Sequence, residues 1–331
     1  MTETAPGVAL RDGIEIRLAD GTTVVADARD PAGDVTALTH AHGDHLFGGD
    51  PGPVVCSAAT ADIARARRPE ADVAVTTDPR VELVNAGHVA GSRAVVVTDP
   101  DDGTRYCYTG DCSTRDRLYL DGFDPPEADV LVVETTYGEP RYRLPPQAAV
   151  EGAVVDWLAD TADTPVLLFG YSLGRAQKLQ VLAERAGRDR VFATEAVRRV
   201  NRAMEPHVDA TFPVAPYADG VDLRPGDALV LPPSAARRDW VTRLRERHDA
   251  PAAGFSGWAV DDSFRYRGGY DVTFALSDHC DFDELNAVVD AVDPERVYTT
   301  HGSTDAFADH LVSRGYDARA LRANQTSLGE F

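Results

Sequence analysis

Short apolar runs separated by turn-forming residues dominate the first 140 residues. GIEIRLAD and TTVVADA, residues 13–20 and 22–28, are separated by one glycine and predict two short strands. Five further runs predict strands: VTALT, VELVNAGH, RAVVVTD, TRYCYTGD and DVLVVETTYG. PDDG joins the third and fourth of these through a hairpin turn, and DIARARR predicts a short helix after the first.

The later strands share a feature at their ends. Four of them finish in a polar residue that is followed by a small or turn-forming one, and His88, Asp111 and Glu134 are among these residues. Ligand sites in α/β folds lie where strands end. We therefore expect these side chains to converge on one site.

The pattern changes after residue 138. EPRYRLPPQ predicts a connection, PVLLFG a buried strand, and YSLGRAQKLQVLAERAG a helix that ends at Gly187. Further α/β segments fill residues 188–255, and an amphipathic helix from Phe282 and the strand RVYTTHG then return to the earlier pattern. We interpret the middle as an insertion. The expected division is a first core segment at 1–150, a cap at 151–258 and a second core segment at 259–331.

The stretch LTHAHGDHLFGG carries unusual chemistry, because it places three histidines and an aspartate within six positions. Alternate residues of a sharp turn point in different directions, so such a motif can supply ligands to two adjacent ions. Imidazoles and carboxylates suit Zn²⁺, and Mn²⁺ or Fe tolerates them. A loop of solvated histidines is the alternative, but it leaves the partners at strand ends unexplained. The candidate ligands are His40, His42, Asp44, His45, His88, Asp111 and His301.

The chain is strongly acidic, with 54 Asp and Glu against 33 Lys and Arg, a net charge of −21 and a single lysine. This composition predicts adaptation to molar salt, where the Debye length falls to about 3 Å. The charge therefore does not exclude a nucleic-acid substrate, but a groove that binds one needs its own arginines. A small-molecule substrate stays open on charge alone.

The spacing of the cysteines and the length of the apolar runs indicate the cellular compartment of the protein. The four cysteines form no CxxC pair, and the sequence has no run of 18 apolar residues and no basic-then-apolar leader. These features predict a cytoplasmic protein without a membrane segment or secretion signal.

HAHGDH resembles the signature of the metallo-β-lactamase superfamily. Over essentially its whole length the chain resembles the beta-CASP nucleases of that superfamily, through the series Asp27, HAHGDH, His88, Asp111, Glu134, His279 and His301. Other stretches look similar to prokaryotic exonucleases associated with DNA ligase and to haloarchaeal proteins described as messenger-RNA 3′-end processing factors: ETTYGEPRYRLPPQ, FGYSLGRAQK, LPPSA, GFSGW, ALSDHCDF and YTTHG. The resemblance implies an α/β fold, a metallo-β-lactamase αββα sandwich with an inserted beta-CASP-like α/β cap.

The resemblance also implies two divalent metal ions, Zn²⁺ or alternatively Mn²⁺. The implied ligands of the first ion are His40, His42 and His88, the first ligand set. Those of the second ion are Asp44, His45 and His301, the second ligand set. Asp111 bridges the two ions. Two such ions, about 3.5–4 Å apart, generate a nucleophile near neutral pH and bind phosphodiester oxygens. Asp44 and Asp111 therefore count among the catalytic residues. Asp27 matches a carboxylate that orients a ligating histidine, although an aspartate at a strand end is also common without that role.

The resemblance assigns the remaining catalytic roles to His279 and Glu134. His279, in SDHCDF, is the general acid that protonates the departing ribose oxygen, and Glu134 holds its imidazole in the required orientation. On its own, His279 would be better explained as a helix-capping or core histidine.

Candidate contacts to nucleic acid lie mainly in the inserted region. GYSLGRAQ follows a buried strand and opens a helix, so its backbone N–H groups can hold a phosphate. An ordinary helix start is the alternative, and the resemblance favours a phosphate because related enzymes receive a terminal phosphate here. PPSAARR is a second candidate, and the arginines of PRYRL can line a groove and stack on bases. The expected contacts are Ser172, Gly174, Arg175, Lys178, Ser234 and Arg141.

The leading hypothesis is a metal-dependent nuclease, a DNA exonuclease acting on single-stranded ends in repair or end processing. The alternative is an RNA nuclease of the messenger-RNA 3′-end processing type. It is supported by His301, since eukaryotic cross-link-repair members carry valine there. A small-molecule metallo-hydrolase lacks the SDH and THG motifs, and a non-catalytic binding subunit should lack ligands. The resemblance implies a DNA ligase or helicase as protein partner.

Overall fold

A computed structural model describes residues 6–218 and 221–323. The strands are β1 (Gly7–Leu10), β2 (Ile14–Arg17), β3 (Thr23–Ala26), β4 (Val35–Ala37), β5 (Pro53–Val55), β6 (Ala74–Thr76), β7 (Val81–Asn85), β8 (Arg93–Thr98), β9 (Arg105–Tyr108), β10 (Val130–Thr135), β11 (Val166–Phe169), β12 (Arg190–Ala193), β13 (Ala215–Pro216), β14 (Asp227–Leu231), β15 (Ala252–Phe255), β16 (Val272–Phe274), β17 (Arg296–Gly302) and β18 (Ala318–Ala320). The helices are α1 (Ala58–Arg67), α2 (Gln147–Asp160), α3 (Arg175–Arg185), α4 (Glu195–Met204), α5 (Asp239–His248), α6 (Ser263–Gly268), α7 (Phe282–Val292) and α8 (Thr304–Ser313).

The contacts between residues divide the chain into two compact units. Met1–Asp116, Leu120–Arg141 and His279–Phe331 form the first unit, and Arg117–Tyr119 and Tyr142–Asp278 form the second. The sequence-based division differs in assigning residues 117–119, 142–150 and 259–278 to the core, and it stays a prediction of where the cap was inserted.

Two six-stranded sheets form the first unit, with the strand orders β1-β2-β3-β4-β5-β6 and β18-β17-β10-β9-β8-β7. The strands alternate in polarity, so Ile14 and Ile16 of β2 are buried while Glu15 and Arg17 are only half-buried. One apolar core joins the two sheets and extends from Ile14 in the first to Tyr108 in the second. The sheets therefore form a sandwich around a shared core.

Helices cover the outer faces of this sandwich. The second sheet packs against α7 and α8 through Phe282, Leu285, Val289, Phe307 and Leu311. On the other side, α1 contacts β6 of the first sheet. This order of layers confirms the predicted αββα sandwich.

The start of α7 is firmly anchored. Asp281 Oδ1 accepts a hydrogen bond from the backbone N–H of Glu284 at 2.9 Å, and Glu284 Oε2 accepts one from the N–H of Asp281 at 2.8 Å. Arg115 forms ion pairs with both carboxylates. This capping box fixes the backbone that immediately follows His279.

The second unit contains one parallel sheet with the strand order β13-β12-β14-β11-β15-β16. All four residues of β11 are buried, as expected for a central strand covered on both faces. Val154 of α2 and Leu179 of α3 belong to one apolar core, and Val241 and Leu244 of α5 belong to another. The predicted α/β cap is confirmed as an α/β layer structure. Among the described residues, no helix has the length and apolar character needed to cross a membrane.

Candidate metal centre

The HAHGDH turn begins at His40, three residues after the end of β4 at Ala37. His40 and His45 are buried, and Asp44 is exposed. The backbone N–H of His45 donates to the carbonyl of His42 at 3.2 Å, which closes the turn. The residues that follow, Leu46 and Phe47, are among the most buried large side chains of the chain. The apolar core therefore holds the turn in place.

The first predicted ligand set lies together with the predicted bridge. Candidate ligand atoms of His40, His42, His88 and Asp111 all lie within 4.8 Å of one another. Asp111 Oδ2 is 3.4 Å from His40 Nε2 and 3.5 Å from His88 Nε2. His42 Nδ1 is 3.0 Å from His40 Nε2 and 3.1 Å from His88 Nε2. Three imidazoles and one carboxylate converging in a buried place fit a divalent ion such as Zn²⁺.

Two glycines permit this close approach. Gly87 precedes His88 with a φ of 68°, and a Cβ there would lie 2.2 Å from the carbonyl oxygen of Ser113. Gly110 precedes Asp111 with a φ of 55°, and a Cβ there would lie 2.7 Å from Thr39 Cβ. Both positions require the left-handed backbone and the small volume of glycine.

Burial and neighbouring charges together control the protonation of this cluster. Burial lowers the pKa of His40, and it lowers that of His88 well below its ordinary value, with neighbouring imidazolium charges adding to the effect. Burial alone would raise the pKa of Asp111, but the charges of His45 and His279 outweigh it and hold that pKa well below its ordinary value. Neutral imidazoles and an ionised carboxylate are the forms that bind metals.

Asp27 is placed where it orients His45. Its Oδ2 lies 2.8 Å from His45 Nδ1, and His45 Nε2 lies 3.7 Å from Asp111 Oδ2. Burial opposes the charged form of His45, but the carboxylates of Asp111 and Asp27 raise its pKa to about 10. Asp27 has a φ of 56°, a strained conformation for a residue with a side chain.

The second predicted ligand set is less closely gathered. His301 is exposed, and its ring centroid lies 5.5 Å from that of His45. It occupies a bulge between β10 and β17, because Glu134 pairs with Thr300 while the next residue pairs with Gly302. A bulge redirects a side chain out of the regular strand alternation. Within the described residues, Asp44, His45 and His301 do not form a group as compact as the first set.

His279 and Glu134 form a close pair beside the first ligand set. His279 Nδ1 lies 2.9 Å from Glu134 Oε1, and the His279 ring centroid lies 4.5 Å from that of His88. Glu134 is fully buried, and its two oxygens accept hydrogen bonds from the backbone N–H groups of Cys112 and Thr136 at 3.1 and 3.0 Å. The carboxylate is thereby fixed, and it sets the orientation of the imidazole.

Two residues of the site were missed in the sequence. Thr39 Oγ1 donates to Asp27 Oδ2 at 2.6 Å and lies 3.0 Å from His40 Nδ1, so His40 can present Nε2 to the cluster. Tyr108 OH donates to the same Asp27 oxygen at 3.1 Å. Thr39 directly precedes the motif and could have been noticed, but nothing in the sequence connects Tyr108 to Asp27.

Comparison with known proteins agrees with this geometry. The family described as "Zn-dependent metallo-hydrolase RNA specificity domain" matches residues 272–321. A probable DNA ligase of Opitutus terrae is 33% identical over 305 residues, which cover 88% of this chain and 29% of that protein. The DNA cross-link repair protein SNM1 of Arabidopsis thaliana is 30% identical, over 49% of this chain and 37% of its own. The chain belongs to the metallo-β-lactamase/beta-CASP nuclease family.

A solved structure supports the fold of this family member. The crystal structure of a protein of unknown function from Enterococcus faecalis V583 has a TM-score of 0.63 and 14% sequence identity, and the match covers 98% of both chains. The chain spans only 29% and 37% of the two curated relatives.

Two of the phosphate contacts expected for a beta-CASP nuclease have another partner. Lys178 and Arg175 are 0% and 3% exposed, and both form ion pairs with the buried carboxylate of Asp278. Arg117 lies in the same cluster, with Nη1 3.7 Å from Asp278 Oδ1. A phosphate would have to displace this carboxylate. The structure therefore corrects the expectation that both side chains face an open anion site.

The helix start at Gly174 differs from the expectation in the same way. Its backbone N–H, expected to be available to a phosphate, donates to Gln177 Oε1 at 2.8 Å. Ser172 is half-buried and its carbonyl accepts from Gln177 Nε2 at 3.0 Å, while Ser234 is exposed. The Gln177 side chain therefore caps this helix from within the protein.

Arg141 is exposed, and its guanidinium donates to Glu139 at 3.0 Å. The neighbouring Tyr142 is buried and packs edge-on against Trp258, with ring centroids 4.8 Å apart. The Tyr142 ring is therefore part of the protein interior rather than a stacking surface for bases.

Proposed function

We propose that this protein is a metal-dependent nuclease that hydrolyses phosphodiester bonds, acting as a DNA exonuclease in repair or end processing. The observation that carries the proposal is the close association of the His40, His42, His88 and Asp111 cluster with the His279–Glu134 pair. Metal ligation and a positioned proton donor are the two requirements of hydrolysis by this route.

In this proposal the site holds two divalent ions, Zn²⁺ or Mn²⁺, with His45, His301 and Asp44 at the second of them. Bound ions of this kind supply an activated water and charge stabilisation for the phosphoryl oxygens. Asp27 orients His45 for this purpose, since its carboxylate accepts from Nδ1 and leaves Nε2 directed toward Asp111.

His279 acts as the general acid in this proposal. Its Nδ1 faces Glu134, so the proton for the departing ribose oxygen is delivered from Nε2. The buried Glu134 carboxylate stabilises the imidazolium before transfer and retains the ring orientation afterwards. Because backbone N–H groups hold both Glu134 oxygens, the pair needs no rearrangement for the transfer.

DNA is favoured by the relatives named for DNA ligation and cross-link repair. An RNA substrate is the second candidate, supported by the match of residues 272–321 to an RNA specificity domain and by His301. Likeness to a probable DNA ligase also makes a ligase the protein partner that we propose.

A cleavage time course tests the reaction and the nucleic acid together. The substrates are single-stranded DNA and RNA of matched sequence, labelled internally, with and without a 5′-phosphate, in high potassium chloride with Zn²⁺ or Mn²⁺. We expect stepwise loss of DNA, and slowing by about 10²–10⁴-fold in His279→Ala with bound metal unchanged.

Each other outcome has a definite meaning. An unchanged rate in His279→Ala would exclude the general-acid role. Faster cleavage of RNA than of DNA would indicate a role in transcript processing. Cuts at internal positions of the RNA would support a role in messenger-RNA 3′-end processing. No cleavage of either polymer by the metal-loaded protein would contradict the nuclease proposal and favour a small-molecule hydrolase or a binding subunit.

A further inference from the structure

The second unit contains a pocket that the proposed reaction does not use. Its volume is about 470 Å³, within the range of small-molecule sites. Thr194 directly follows β12 and Tyr217 directly follows β13, and both residues line the pocket. The pocket therefore lies at the carboxyl ends of two neighbouring parallel strands, the usual place for ligands in open α/β sheets.

Two arginines of α5 give the pocket a positive wall. Arg243 and Arg247 both line it and both are exposed. Neither forms an ion pair with another described residue, whereas Arg245 on the same helix pairs with Asp271 at 2.7 Å. Residues four apart on a helix are neighbours, and like charges there repel. In a chain with 54 acidic and 33 basic residues, two adjacent arginines without an acidic partner among the described residues form a local positive patch that an anion from outside can neutralise.

An aromatic surface lies beside these arginines. Tyr217 and Trp240 stack with ring centroids 5.8 Å apart and an interplanar angle of 24°. Both rings are partly buried against the apolar core of this face, so they are held rigidly and still line the pocket. Trp240 also lies three and seven positions before the two arginines, on the same face of α5. Rigid aromatic rings beside guanidinium groups bind nucleobases by stacking.

Among the described residues that line the pocket, one is a carboxylate. Asp222 lines it with a side chain that is 75% exposed, and its Oδ1 lies 3.6 Å from His248 Nε2. A carboxylate is unsuited to a phosphate but accepts hydrogen bonds from sugar hydroxyls, as in dinucleotide sites. The lining thus contains separate partners for a base, a sugar and a phosphate.

We propose that this pocket binds a nucleotide unit, with its phosphate on Arg243 and Arg247, its base against Tyr217 and Trp240, and its ribose hydroxyls on Asp222. Every residue of this site belongs to the second unit, and none is a candidate metal ligand or proton donor. The site goes beyond the proposed nuclease reaction and does not depend on it. The same chemistry is offered by a free nucleotide or by one residue of a nucleic-acid strand.

Calorimetric titration of the full-length protein tests the site. The probes are adenosine 5′-monophosphate, adenosine and a six-nucleotide oligoriboadenylate, all in buffer with EDTA so that the metal centre takes no part. We expect the monophosphate to bind at least tenfold more tightly than adenosine. Arg243→Gln and Arg247→Gln should each weaken binding at least tenfold, because each removes one guanidinium from the phosphate.

Matched variants locate the effect. Arg199→Gln, an exposed arginine of α4 outside the pocket, should leave the dissociation constant unchanged. Titration with 2′-deoxyadenosine 5′-monophosphate as a further probe should show weaker binding than the ribonucleotide, and Asp222→Asn should reduce this difference. Tighter binding of the oligonucleotide would assign the site to a strand, and equal binding would assign it to a free nucleotide.

Two results would overturn the assignment. One is the absence of binding by both phosphorylated probes to protein whose folding is verified by circular dichroism. The other is binding that the Arg243→Gln, Arg247→Gln double variant retains. Nuclease activity plays no part in either result, so failure of this site and failure of the proposed reaction are separate outcomes.

Discussion

Two clusters of ionisable side chains, one in each unit, both combine a single aspartate with three basic side chains, which are imidazoles in the first unit and guanidinium and ammonium groups in the second. The cluster of the first unit comprises His40, His42, His88 and Asp111, with imidazole nitrogens about as close to one another as hydrogen-bonded atoms. The cluster of the second unit surrounds Asp278 with three cations: Arg117, Arg175 and Lys178.

The two clusters differ in the source of the charge that compensates their buried ionisable groups. The second cluster is closed by the protein itself, since Asp278 binds its cations and the carbonyls of Ser277 and Phe255 accept from Arg117 and Arg175. Burial and the charge of Arg117 also lower the pKa of Lys178 to about 7, which reduces the excess of positive charge. The first cluster instead directs several lone pairs at one point, which suits a cation from outside. Burial of charge alone therefore does not identify a ligand site.

The largest effect should come from removing a ligand of the first cluster. His42→Ala should abolish cleavage and lower bound metal, since loss of one ligand destroys a coordination site. Metal content measured by atomic emission, together with the cleavage rate, checks this. His207→Ala, an exposed histidine outside the cluster, is the matched control and should change neither quantity. Full metal content and full activity in His42→Ala would show that the cluster is structural.

A smaller effect, on stability, should follow from opening the second cluster. Asp278→Ala leaves three buried cations without their carboxylate and should lower the free energy of unfolding by about 3–5 kcal/mol. Urea denaturation measures it. Asp163→Ala, at an exposed carboxylate of the same unit, should stay within about 0.5 kcal/mol of the unaltered protein. Equal effects of the two substitutions would contradict the view that the second cluster holds itself together.

The smallest effect should come from Lys178→Met, which removes one cation and retains much of the side-chain volume. Asp278 keeps two arginines, so we expect a change below about 1.5 kcal/mol at pH 7. The pKa of Lys178 is about 7 in the folded protein, below its ordinary value of 10.5. The unfolded chain therefore binds more protons between these values, and stability rises with pH across that range. The variant should lose this rise, and urea denaturation from pH 7 to 10 compares the two proteins. An identical pH dependence in both would show that Lys178 does not titrate there.

The two clusters also differ in how much of each could be predicted from the sequence. The first cluster was predictable, because His40 and His42 share one short motif and His88 and Asp111 stand at strand ends. The partner of Lys178 was not, because Asp278 lies 100 positions away and a lysine near a helix start is equally consistent with an open phosphate site. The individual strands were predicted from patterns that depend on near neighbours, and the sandwich from the family resemblance, whereas individual polar contacts depend on the tertiary fold.

The backbone conformation at Asp27 and His301 affects which substitutions can make this protein more stable. Both residues have positive φ angles, 56° and 55°, in a region that disfavours side chains by about 1–2 kcal/mol. Glycine would relieve that strain at either position but would remove the carboxylate or the imidazole. At Asp27, however, glycine would also leave the buried donors of Thr39, Tyr108 and His45 without their acceptor, which outweighs the relief of strain. A search for more heat-resistant variants would therefore be drawn to His301, where, under the proposed function, a gain in durability would be accompanied by the loss of a metal ligand.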